Sequence, residues 1–243
     1  MQDARQQGRL SGTAFASDFD GTLCETDWDS GKSHFKPEDL KAIARYREAG
    51  GLFGVCTGRT IGSILEVTEG VLEFDFFIVN TGSQVFGLNQ ELVHESTLSH
   101  DIANELYLRY GMDAPGFVSQ AETGFVCVGE DSMIPGVPAV PSVYDIEGKL
   151  FGVSLEYQDD REAARVACED LSRRYADKVV CFQNLGSVDI VPLGCSKGEG
   201  VRIAREALGA RCVGGVGDSF NDLPLLEAAD LAYTFHKAPE VVR

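Results

Sequence analysis

Four short segments carry residue types that can do chemistry. The first is Asp18-Phe19-Asp20-Gly21-Thr22, which follows a short apolar run, Thr13–Ser17. Two aspartates at the carboxyl end of a buried parallel strand lie where α/β sheets place their active sites, and both can point into one cleft. Asp and Gly are also common turn formers, so a polar turn is the other reading. The second is Thr57-Gly58, directly after the apolar Leu52–Cys56. A hydroxyl and free backbone N–H groups at a helix start make an anion cradle, although a helix N-cap uses the same residues. The third is Lys197, placed by the sequence in the first turn of a helix. The helix dipole opposes a cation there, so a phosphate or carboxylate must favour it unless it is simply solvated. The fourth is Gly217-Asp218-Ser219-Phe220-Asn221-Asp222. Its two acids, amide and hydroxyl gather where a hard cation would sit, and Mg²⁺ takes oxygen ligands with only one or two protein carboxylates. The competing reading is a capped turn in which Asn221 or Asp222 opens a helix with Pro224 in its first turn.

These segments need a scaffold, and the pattern supplies one. Strand-like and helix-like segments alternate, which predicts an α/β fold with a mainly parallel sheet. Pro37–Ala49 reads as a helix, with Pro37 and two acids in its first turn and Gly50-Gly51 as its stop. Phe76–Val79 reads as a strand. After Asn80-Thr81-Gly82 the texture changes to a hairpin around Asn89-Gln90, a helix near 99–110, strands near 124–129, and a Pro/Gly-rich loop over 131–149. Leu150–Tyr157 reads as a strand and Asp159–Tyr175 as an amphipathic helix, followed by strands at Val179–Gln183 and Val188–Val191. The alternation then resumes. Ser196-Lys197-Gly198-Glu199 has capping-box form and opens a helix to about Leu208, and Arg211–Val216 is a strand. Ala238-Pro239-Glu240 reads as a further helix start. A core in two pieces, residues 1–82 and 190–243, with an inserted domain at 83–189 accounts for the order.

The chain has 243 residues and a net charge of −17, enough length for one large domain or two smaller ones. Such acidity repels nucleic-acid backbones and anionic lipid heads, so neither partner is expected. No apolar run is long enough to span a membrane, and the polar opening MQDARQQGRLSG lacks the core of a signal peptide, so a cytoplasmic location is expected. The seven cysteines are scattered without a CxxC pair and read as free thiols.

Taken in order, Asp-x-Asp-Gly-Thr, Thr-Gly-Arg, Ser-Lys and Gly-Asp-Ser-x-Asn-Asp resemble the motifs of the haloacid dehalogenase-like (HAD) superfamily. The set is most similar to the Cof-type, subfamily IIB sugar phosphatases. The resemblance implies a Rossmann-like core with an inserted α+β type II (C2B) cap. It makes Asp18 the nucleophile that forms an aspartyl-phosphate, and Asp20 the general acid and then base. It assigns Mg²⁺ to Asp18, the backbone carbonyl of Asp20, and Asp218. It makes Lys197, Thr57 and Gly58 the phosphate-binding groups, and Asn221 and Asp222 supporting residues. The implied activity is hydrolysis of a small phosphorylated metabolite, a sugar phosphate above all, by a monomer or weak homodimer. A phosphomutase using the same aspartate is the alternative, and a binding module that lost the chemistry is a third reading. The stretch holding Trp28 and His34 would form a mobile flap in such a protein, with packed surface the other role for both residues. Substrate choice is expected to lie in the inserted block.

Overall fold

The computed structural model describes residues 8–27 and 32–243. Trp28 lies outside them. The order is β1 (Thr13–Ser17), β2 (Cys24–Asp27), β3 (Lys32–Phe35), α1 (Pro37–Glu48), β4 (Leu52–Cys56), α2 (Ile61–Thr68) and β5 (Phe76–Val79). Next come β6 (Gln84–Phe86), β7 (Leu92–Glu95), α3 (His100–Leu106), β8 (Gly116–Ala121), β9 (Gly124–Val128), β10 (Ala139–Val140) and β11 (Leu150–Glu156). The chain continues through α4 (Arg161–Arg174), β12 (Val179–Asn184), β13 (Ser187–Pro192), α5 (Lys197–Leu208), β14 (Cys212–Val216), α6 (Leu223–Ala228) and β15 (Leu231–Tyr233).

The first sheet runs β15-β14-β1-β4-β5-β6-β7. Its pairings from β15 to β5 are parallel. The inner strands β1, β4, β5 and β14 read as near-continuous apolar runs because both faces are covered, whereas β15 at the edge is exposed. On one face Ala14, Ala16, Ile78 and Val213 pack with Val201 and Ala204 of α5 and Leu225 of α6. On the other, Phe53, Val55, Phe77 and Val79 pack with Ile43 of α1 and Ile64 of α2. The parallel order brings the loops after β1, β4, β5 and β14 to one edge, where open α/β sheets bind ligands.

The second sheet runs β10-β9-β8-β11-β13-β12 and is antiparallel except at β9–β10. One face is apolar: Phe117, Val153, Leu155, Val188 and Ile190 pack with Ala103 and Leu106 of α3 and Ala164 and Leu171 of α4. This is the inserted α+β block. Its edges differ from those expected at 82/83 and 189/190. Residues 84–95 extend the first sheet, since β6 pairs antiparallel with β5 and β7 with β6. Residues 190–192 belong to the second sheet, because all of β13 lies between β11 and β12. By strand pairing the crossings fall after Glu95 and after Pro192.

Smaller differences have local causes. The helix expected near 99–110 ends its α-helical turns at Leu106 and continues as a π turn over Tyr107–Gly111. The expected loop over 131–149 contains the short β10 and a single turn at Val143–Asp145. The expected helix at Ala238-Pro239-Glu240 is one 3₁₀ turn, Glu240–Val242. All seven cysteines are unpaired. No helix among the described residues is long and apolar enough to cross a membrane.

Candidate active site

Asp18 leaves the end of β1, and its backbone N–H donates to the Val216 carbonyl at the end of β14. This ties the first and fourth motifs together at the carboxyl edge. Gly21 completes the link. Its φ is +81°, and a Cβ there would lie 2.9 Å from Asp218 Oδ2. An L side chain would be strained in that conformation and would press on the carboxylate. The Thr22 hydroxyl donates to Asp218 Oδ1 at 3.1 Å.

Lys197 opens α5, behind Ser196, whose hydroxyl accepts from the Glu199 N–H as the capping pattern predicted. The lysine is not solvated. It is 2 % exposed, and its Nζ donates to Asp18 Oδ1 at 2.7 Å and to Asp222 Oδ1 at 2.5 Å. Burial works against its charge, but the two carboxylates win and hold its pKa well above the ordinary lysine value. Asp222 is wholly buried, and its other oxygen accepts the N–H groups of Asp218 and Ser219 at 2.9 and 3.0 Å. The capped turn is therefore present: Ser219 and Asp222 form a capping box and Pro224 lies in the first turn of α6. Cap and site coincide, because the same carboxylate closes the turn and receives Lys197.

Carboxylate oxygens of Asp18, Asp218 and Asp222 lie within 4.8 Å of one another. Three acids face the single ammonium of Lys197. Burial, with Asp222 beside it, pushes the Asp18 carboxyl up to about 8 despite Lys197. Burial, then Asp222, also raises Asp218. A hard divalent cation is the group this donor set fits, since it takes oxygen ligands and cancels the excess negative charge. The Asp20 carboxylate stands apart. Arg59 grips it through Nε–Oδ2 at 2.7 Å and Nη2–Oδ1 at 2.6 Å, and the Thr26 hydroxyl donates to Oδ1 at 3.2 Å.

Thr57 and Gly58 sit in the loop after β4, beside the turn Asn80–Gly82 after β5. The Thr81 N–H donates to the Thr57 carbonyl and the Asn80 N–H to the Arg59 carbonyl, each at 2.9 Å. Thr57 is not the helix cap. Its hydroxyl accepts from the Arg59 N–H, while Thr60 caps α2 through the Ser63 N–H. Asn221 points across the seam between the two sheets, and its amide donates to Asp189 Oδ2 at 3.1 Å. His34 is exposed on β3, away from these contacts. Sequence reasoning missed the roles of Arg59 and Asp189. Arg59 had a signal in the Thr-Gly-Arg triplet, and Asp189 had one as an acid between Val188 and Ile190 in an apolar strand.

Comparison with known proteins places the chain in a family. The HMP-PP phosphatase of Escherichia fergusonii is 24% identical over 245 residues, covering 94% of this chain and 85% of that protein. The 5-amino-6-(5-phospho-D-ribitylamino)uracil phosphatase of Bacillus subtilis is 25% identical over 231 residues, with the same coverage of 94% and 85%. A solved sugar phosphatase of HAD subclass IIB superposes with a TM-score of 0.75 at 16% identity, covering 95% of this chain and 90% of that one. The sequence profile of the haloacid dehalogenase-like hydrolases matches residues 15–111 and 144–243. The chain belongs to the haloacid dehalogenase-like hydrolases.

Proposed function

We propose that this hydrolase is a Mg²⁺-dependent phosphatase of small phosphorylated metabolites, working through an aspartyl-phosphate on Asp18. The observation that carries the reading is the buried Asp18–Lys197–Asp222 chain at the carboxyl edge of the sheet. Lysine in that position orients one oxygen of Asp18, leaving the other to attack phosphorus. The three proteins compared above are all named phosphatases.

In this reading the Asp18 and Asp218 side chains and the Asp20 backbone carbonyl hold the cation. When bound, Mg²⁺ supplies neutralising charge to the phosphoryl group in transfer. Lys197 favours the ionised form of Asp18 against the burial that raises its pKa, and contacts phosphoryl oxygens. The Thr57 hydroxyl and the Gly58 N–H receive the same group. Asp20, steered by Arg59, gives its proton to the leaving oxygen and then takes one from the water that hydrolyses the acyl phosphate. The polar face of the second sheet covers the cleft and restricts water. Release of inorganic phosphate from phenyl phosphate tests the reading. Release is expected with Mg²⁺ and not with EDTA. Equal release under both conditions would overturn the metal assignment, and no release at all would overturn the phosphatase reading.

A further inference from the structure

The loop of the fourth motif is held from two sides. Asp218 and Asp222 turn toward Asp18, and Asp222 receives Lys197. Ser219 and Asn221 turn instead to the inserted block. The Ser219 hydroxyl donates to Asn184 Oδ1 at 3.1 Å, and Asn221 Nδ2 donates to Asp189 Oδ2 at 3.1 Å. Asn184 ends β12 and Asp189 lies within β13. The register of that hairpin puts both on the sheet face opposite Val188 and Ile190, which pack against the helices of the block.

Both contacts are closed to water on at least one side, because Ser219, Asn221 and Asp189 are all buried. A buried donor or acceptor that loses its partner keeps its desolvation cost, so these bonds favour a seated block. The loop passes their placement on with little slack. Asp222 Oδ2 accepts the N–H groups of Asp218 and Ser219 at 2.9 and 3.0 Å, and the Asp222 N–H donates to the Ser219 carbonyl at 3.1 Å. Gly217 opens the same turn, and a Cβ there would lie 2.5 Å from Asp222 Cβ and Cγ. The backbone closes around one carboxylate, so a shift of Ser219 or Asn221 carries Asp218 and Asp222 with it.

We infer that Asn184 and Asp189 are positioning residues for the acidic loop, so that seating of the inserted block and affinity for the divalent cation are coupled. This rests on the Mg²⁺ reading of the Asp18–Asp218–Asp222 cluster and adds to it a contribution from the inserted block. Groups that hold metal ligands from behind typically contribute about ten- to a hundredfold in affinity. The coupling is reciprocal: a block that strengthens cation binding is itself held more firmly once the cation is bound.

Titration calorimetry with Mg²⁺ alone, without substrate, tests the coupling. Asn184→Ala should raise the Kd for Mg²⁺ by about tenfold. It exchanges one neutral side chain for another, so the loss cannot come from a changed charge. Gln183 is its neighbour on β12, and its Nε2 donates to the Arg161 and Leu185 carbonyls inside the block. Gln183→Ala should leave the Kd unchanged. Hydrogen exchange read by mass spectrometry gives the reciprocal measurement. Mg²⁺ should protect the β12–β13 hairpin in the wild-type protein and protect it less in Asn184→Ala. Protection of β8 and β11 that matches wild type shows that the variant is folded. A wild-type Kd in Asn184→Ala overturns the coupling, and so does equal weakening in Gln183→Ala, which would mean a general loosening of β12. Either result leaves the metal reading standing, since the wild-type protein still binds Mg²⁺. A wild-type protein that binds no Mg²⁺ overturns both.

Discussion

Arg59 holds Asp20 in a two-point clasp, with both guanidinium contacts at 2.6–2.7 Å and the guanidinium carbon 5.1 Å from the centre of the Phe19 ring. The clasp fixes the carboxylate that, in the proposed mechanism, meets the leaving oxygen, and it joins the first motif to the second. Replacing the planar fork with an ammonium keeps the charge and loses the geometry.

Arg59→Lys should therefore lower kcat by about tenfold for an alkyl phosphate, a fraction of what general acid catalysis supplies. The loss should be smaller for 4-nitrophenyl phosphate, whose leaving group needs little protonation. Comparing kcat for the two esters in wild type and variant checks this. Equal losses would assign Arg59 to phosphate binding rather than to the placement of Asp20.

Among the described residues, Lys197 is the one ammonium between Asp18 and Asp222. Lys197→Met leaves two buried carboxylates without their cation and should cost about 3–5 kcal/mol. Urea unfolding in EDTA measures it. Added Mg²⁺ should restore part of the loss, because it relieves the same repulsion.

The cation itself should stabilise the fold. At about 100 times its Kd a ligand of the native state contributes about 2.7 kcal/mol. The wild-type Tm should rise with Mg²⁺ concentration. Asp218→Asn removes one carboxylate of the cluster and should flatten that rise. A full Mg²⁺ response in the variant would remove Asp218 from the ligand set.

Burial, reinforced by Asp189 and opposed by the Ser154 hydroxyl, pushes Glu156 up to about 7. In the unfolded chain a glutamate titrates near ~4.3. Between these values the folded protein keeps a proton that the unfolded chain releases. Its stabilising contribution is full below the unfolded value and is lost as pH rises through about 7. Glu156→Gln should therefore reduce the fall in stability between about pH 5 and pH 8, read from denaturation midpoints in EDTA. An unchanged slope would place the titration elsewhere.

Much of the first sheet was legible because its strands are buried on both faces. Leu52–Cys56 and Phe76–Val79 are bounded as their apolar runs are. Three motif loops follow such strands, so the positions of Asp18, Thr57 and Asp218 at strand ends were legible too, and that of Lys197 followed from the capping serine before its helix. Pairing partners were not. Nothing within Gln84–Glu95 states that this hairpin adds to the edge of β5 rather than to the second sheet. Gly116–Ala121 escaped notice because Ser119 and Gln120 break its apolar pattern, and both are nonetheless buried. Arg59 finds Asp20 across 39 residues and Asn221 finds Asp189 across 32. Contacts at such range depend on topology, which local spacing does not carry.

The proposed aspartyl-phosphate on Asp18 is the step on which the rest of the mechanism turns. The most direct measurement is mass spectrometry of acid-quenched Asp20→Asn during turnover of 4-nitrophenyl phosphate with Mg²⁺. That variant should form the acyl phosphate and hydrolyse it slowly, so the peptide containing Asp18 should carry a phosphoryl group that Asp18→Asn never acquires. Steady phosphate release by Asp18→Asn at the wild-type rate, with no phosphorylated peptide, would contradict it.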